Sequence, residues 1–95
     1  MLSFTVRMRF DEADHDAVHE HLVSLTAGSR QEPGCVSYRC HFVADDASTI
    51  LIYEQYADHA ALEHHRATDH FKQHAVGGLY QLMRERSMEN LAYVA

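Results

Sequence analysis

Nine histidines in a chain of 95 residues make imidazole the side chain with most chemistry to offer. It alone, among unperturbed side chains, changes charge near neutral pH. His15/His19 and His70/His74 are spaced i, i+4, which puts two imidazoles on one helical face and could hold a metal ion. A zinc-hydrolase helix needs Glu directly after the first His, and Asp16 and Phe71 stand there instead. His15, His19 and His21 also lie among Asp14, Asp16 and Glu20, the composition of a solvated face. No metal site is expected, and His59 and His64 read as surface residues.

His65 differs. It follows Ala61 and Leu62 at i+4 and i+3, so it is predicted to point inward. His70 falls in the first turn of the next helix, where the positive end of the dipole disfavours imidazolium. A neutral, half-buried imidazole is what proton abstraction near neutrality requires. The structural alternative is a core histidine bonded to a carbonyl. His74, close to Phe71, is a third candidate. Glu54 continues the line Ile50, Ile52, which places a carboxylate where apolar residues are expected; it needs a partner or a raised pKa. Tyr53 and Tyr56 could donate hydrogen bonds to an oxyanion or simply fill the core. Ser29 lies on the buried line of the first helix. No Ser-His-Asp order or phosphate-binding glycine loop is present, Gly77-Gly78 alone being unspecific.

The elements that hold these residues follow from periodicity. Residues 2–10 alternate, with Leu2, Phe4, Val6, Met8 and Phe10 on one side, as in a half-buried strand. Asp11 and Asp14 signal a helix start, and Val18, Leu22, Leu25 and Ser29 recur at helical spacing until Pro33-Gly34. A second strand carries Val36, Tyr38, Cys40 and Phe42 on one face. A polar turn at 44–48 leads to a third strand, Thr49–Tyr56, that completes a hairpin. Ile50 and Ile52 oppose Leu51 and Tyr53, so this strand is expected inside the sheet with both faces covered. Helices capped at Asp58 and again near Thr68 or Asp69 follow, and Arg86–Val94 ends the chain as a strand. The order β-α-β-β-α-β is an α+β, ferredoxin-like single domain over residues 1–95, with an antiparallel sheet and a broken second helix. The helices cover one sheet face; a second copy of the chain is the simplest cover for the other.

Composition narrows the functions. Eight Lys plus Arg against fourteen Asp plus Glu leave a net charge of −6, which argues against nucleic acid. The alternating N-terminus is neither signal peptide nor membrane anchor, so a cytoplasmic protein is expected. Cys35 and Cys40 are read as leaving opposite faces of one strand, roughly 16 Å apart, beyond disulfide reach.

The segment Ser29-Arg30-Gln31-Glu32-Pro33-Gly34-Cys35-Val36-Ser37-Tyr38 resembles the S-x-x-E-x-G-x-x-x-[YF] stretch of the antibiotic biosynthesis monooxygenase domain. Tyr53-Glu54-Gln55-Tyr56, Ala61-Leu62-Glu63-His64-His65 and Thr68-Asp69-His70-Phe71-Lys72 resemble its Y-E-x-[WY], L-x-x-H and T-P-H-[FMY]-K stretches, in the same order. Tyr56 stands where many members have Trp, and Asp69 replaces the usual Pro. The haem-degrading branch, with its Asn-Trp-His set, resembles this Trp-free chain poorly. The quinol monooxygenase and autoinducer-2 phosphate isomerase branches are more similar.

The resemblance implies a homodimeric α/β barrel and a pocket between sheet and helices in each subunit. Glu54, Tyr56, His65 and His70 match its pocket region, with Ser29 beside them. It further implies a cofactor-independent monooxygenase: His65 or His70 deprotonates a small phenolic, quinol or polyketide-type substrate, whose anion reduces O₂. Tyr56 and Glu54 would assist, and Ser29, Tyr53 and His74 would contact substrate. An isomerase of a small phosphosugar ketone of the autoinducer-2 type would use the same residues. A non-enzymatic dimeric ligand-binding module is the third reading.

Overall fold

The computed structural model describes residues 1–95. Its elements are β1 (Leu2–Arg9), a short 3₁₀ turn (Glu12–Asp14), α1 (His15–Ser29), β2 (Cys35–Phe42) and β3 (Thr49–Tyr56). They continue with α2 (His59–Arg66), a π-helical segment (Phe71–Leu79), the single turn α3 (Tyr80–Leu82) and β4 (Glu85–Leu91). The four strands form one antiparallel sheet in the order β2-β3-β1-β4. This is the α+β, ferredoxin-like arrangement predicted from the pattern.

Alternation in β1 buries Phe4, Val6 and Met8, and Phe10 just beyond it. These meet Ile50 and Ile52 of β3 and the α1 line Val18, Leu22 and Leu25, with Ala75 and Leu79 of the π-helical segment completing the core. Asp58 caps α2 by accepting the Ala61 amide at 2.8 Å. Thr68 Oγ1 accepts the Phe71 amide at 3.2 Å and starts the next helix. No helix is long and apolar enough to cross a membrane.

The structure departs from expectation in four places. The first helix ends at Ser29, short of Pro33, and the turns that follow carry Glu32 back over the sheet. In β2 a bulge between Cys35 and Ser37 makes Val36 the unpaired extra residue. Val36 therefore stands 52% exposed, not in line with Tyr38. The same bulge puts Cys35 opposite Tyr56 and Cys40 opposite Ile52, so the two thiols share the helix-facing side instead of opposing each other. Both are free. The last strand is Glu85–Leu91, earlier than expected, and exposed along its length. Finally, the open sheet face is mostly polar: Leu51 and Tyr53 lie half-buried among Ser3, Thr5, Arg7, Ser37 and Arg39.

Candidate active site

Three segments converge on one buried carboxylate. Glu32 reaches inward from the turn after α1, and Arg30 steadies that turn by donating from Nε to the Tyr38 carbonyl at 3.1 Å. His65, 2% exposed, comes from the last turn of α2. Its Nδ1 lies 2.9 Å from Glu32 Oε2 and 3.2 Å from Oε1. His70, just before the π-helical segment, brings Nε2 to 2.6 Å from the same Oε2. A carboxylate only accepts, so both imidazoles donate to it. That assigns the His65 proton to Nδ1 and leaves Nε2 with a lone pair.

Close backbone approaches make this convergence possible. A Cβ at Gly28 of α1 would stand 2.5 Å from Cγ of His70, so only glycine lets the ring lie against that helix. At Gly34 an added Cβ would collide with Cβ of Ala61, the residue one turn before His65.

On its other side, His65 Nε2 is 3.7 Å from Glu54 Oε1. That oxygen accepts the Tyr56 hydroxyl at 2.6 Å. Burial lifts the Glu54 carboxyl to about 7, against the lowering effect of the Tyr56 hydrogen bond and of Arg66 and Arg86. Burial and the neighbouring Glu54 push the Tyr56 hydroxyl well above its ordinary range, so it stays a donor. Burial lowers His65, with the Glu32 hydrogen bond opposing, which keeps the ring neutral near neutral pH. Tyr38, Tyr56 and Phe71 surround that ring at centroid distances of 5.8, 5.1 and 5.1 Å.

A cavity of about 40 Å³ between sheet and helices is lined by His65 and Glu54 together with apolar residues that include Phe4, Leu62 and Phe71. That leaves room for a few waters at most, so any larger ligand requires the lining side chains to move. The candidates divide around this space. His65 and Glu54 face it; Tyr56 stands behind Glu54, and His70 stands behind Glu32, opening instead onto a surface depression with Gly28 and Thr68. Ser29 is fully buried, its hydroxyl without a partner, and does not line the cavity. Two candidates are not brought to the site at all. Tyr53 opposes Arg39 and Thr5 on the other sheet face, and His74 turns to His21, with Nδ1 atoms 3.0 Å apart.

Glu32 is the residue that the sequence reading passed over. The available signal was its position three residues after buried Ser29, in a turn closed by glycine. The ligand atoms of Glu32, His65 and His70 lie within 4.8 Å of one another. They could chelate a divalent cation only after both imidazoles give up the protons donated to Glu32. The i, i+4 pairs do not converge on a metal: His15 stacks on Phe42 at 4.2 Å, and His70 and His74 take different partners.

The family model of the antibiotic biosynthesis monooxygenase matches residues 1–76. The chain belongs to the antibiotic biosynthesis monooxygenase family. PA3566 from Pseudomonas aeruginosa is 30% identical, with a TM-score of 0.90 over 99% of this chain and 94% of that one. A solved antibiotic biosynthesis monooxygenase is 26% identical, with a TM-score of 0.91 and full coverage of both chains, 100% each. A conserved protein from Bacteroides thetaiotaomicron, described as a possible oxidoreductase, is 27% identical, with a TM-score of 0.87 over 97% and 96% of the two chains. No curated protein matches the chain. At the level of the family this is a monooxygenase-type protein, and the Glu32-His65-His70 cluster is built from the segments that resemble the antibiotic biosynthesis monooxygenase motifs.

Proposed function

We propose that this protein is a cofactor-independent monooxygenase in which His65 deprotonates a small phenolic, quinol or polyketide-type substrate and the resulting anion reduces O₂ directly. The observation that carries this reading is the contact of His65 Nδ1 with the Glu32 carboxylate: an acceptor there calls for Nδ1–H, which leaves the basic Nε2 toward Glu54 and the cavity. Glu32 then stabilises the imidazolium that forms, as the carboxylate does in other carboxylate–histidine pairs. Glu54, poised at about 7, can hold a proton for a developing oxyanion, and Tyr56 fixes its orientation. With a hydroquinone a ring C–H becomes C–OH and the ring a quinone, the second oxygen atom leaving as water; with an anthrone-type substrate an activated CH₂ becomes C=O. One atom of O₂ enters the carbonyl and the other leaves as water with the two hydrogens, so the substrate supplies all the electrons.

Oxygen uptake with an anthrone or a hydroquinone tests this directly. His65→Gln should lower kcat by about a hundredfold or more, the usual general-base contribution. His70→Gln should cost less, because His70 does not line the cavity. Turnover of a phosphosugar ketone without oxygen uptake would make the protein an isomerase; binding without turnover would make it a ligand-binding module.

The same reading takes the working unit as a homodimer, supported by the exposure of β4 along its length, with Met88 37% and Leu91 44% exposed on it. It takes the setting as cytoplasmic, since two unbridged thiols suit a reducing compartment.

A further inference from the structure

We infer that the cavity takes a small aromatic ligand carrying one anionic group, with Arg66 and Arg86 as the subsite that holds the charge at its mouth. The inference rests on the proposed activity for the location of the reacting end, and adds the class of substrate.

Two residues of like charge line the same small cavity from different elements. Arg66 closes α2, and Arg86 stands on the helix-facing side of β4, opposite Met8. Arg9 pairs with Glu85, Arg84 with Asp11, and Arg30 with the Tyr38 carbonyl; Arg7 and Arg39 lie on the other sheet face, opposite Leu51 and Tyr53, away from this cavity. Neither Arg66 nor Arg86 has an ion pair or a side-chain hydrogen bond. Arg86 instead lies over Tyr80, its guanidinium 5.8 Å from the ring centroid, a contact that orients the planar group without consuming its donors. A guanidinium with free donors is suited to bidentate recognition of a carboxylate, sulfonate or phosphate.

The rest of the lining sets the ligand's body. Phe4, Val6, Leu62, Phe71 and Leu79 line the same cavity with apolar surface, while the two arginines are exposed and His65 and Glu54 are buried. Glu54 is the one acidic side chain on this lining, so the anionic group sits outward at the arginines and the neutral, acidic O–H or C–H end sits inward at His65. The competing explanation is that the arginines serve only to offset Glu54.

Calorimetric or ligand-observed NMR titration of the full chain separates the two. The probes are para-hydroxyphenylacetate and its neutral amide, para-hydroxyphenylacetamide, which share shape and phenol. The carboxylate should bind about tenfold tighter or more, and added salt should shrink the preference. Arg66→Gln with Arg86→Gln should bring the two ligands to parity; both positions are exposed, so the fold is expected to persist. Equal affinity in the native protein, no measurable binding of the carboxylate at millimolar concentration, or a preference untouched by the double substitution would overturn the subsite. His65→Gln should leave the preference intact. A preserved preference with unchanged oxygen uptake in that variant therefore defeats the base assignment and not the anion subsite.

Discussion

The Oε2 atom of Glu32 lies 2.6 Å from Nε2 of His70, and the same oxygen takes the Nδ1 proton of His65 at 2.9 Å. One carboxylate thus holds two rings, and through them the start of the π-helical segment and the end of α2. Glu32→Gln replaces an acceptor-only carboxylate with an amide whose NH₂ can be satisfied only if one imidazole turns its lone pair toward it. The substitution should cost about 2 kcal/mol of stability, in the range for hydrogen bonds to charged groups. It should also convert His65 from a pure Nδ1–H form to a mixture, read by ¹⁵N chemical shifts of the ring. An Nε2–H ring in the native protein would refute the assignment.

Glu54 makes the fold lose stability as pH rises from about 4.5 through about 7. A carboxyl whose folded pKa stands at about 7, against an ordinary 4.5, binds more protons folded than unfolded. Its stabilising effect is complete below the unfolded value and is lost as pH rises through the folded one. Glu54→Gln keeps an acceptor for Tyr56 without the charge. The variant should therefore gain on the native protein as pH rises, by on the order of 3 kcal/mol in alkali. Denaturant midpoints at acid and alkaline pH measure this; a difference independent of pH would contradict it. His65 works in the opposite direction: its lowered pKa means stability is lost as pH falls below the ordinary histidine range.

Gly28 tests the packing of His70. Gly28→Ala would drive a methyl into the imidazole, costing about 1–3 kcal/mol as overpacking does. In the His70→Ala background the ring is gone and the penalty should largely disappear. A double-mutant cycle with no coupling between the two positions would show that the ring does not rest on α1.

Much of this architecture was legible in the residues. The alternation of β1, the buried line Val18-Leu22-Leu25-Ser29 and the Asp58 cap each report a local period or a local hydrogen bond, which neighbouring residues determine. His65 and Glu54 were legible for the same reason, as polar residues on apolar lines. Glu32 was legible only as the acid of the S-x-x-E-x-G stretch; that it points inward was not, because a carboxylate in a turn ordinarily faces water and only tertiary contact shows otherwise. His74 and Tyr53 were assigned by proximity in sequence. A helix of π pitch from Phe71 to Leu79 turns His74 away toward His21, and strand alternation carries Tyr53 to the far face.

Val36 looks dispensable by every local measure, since it is exposed and unpaired. Its importance lies in being counted. By adding one residue between Cys35 and Ser37, it lets both Cys35 and Tyr38 face the helices, and so brings the turn carrying Glu32 down onto His65. The position should accept almost any side chain and yet refuse deletion. Variation there is free in identity and forbidden in number, a constraint on chain length hidden inside a surface residue.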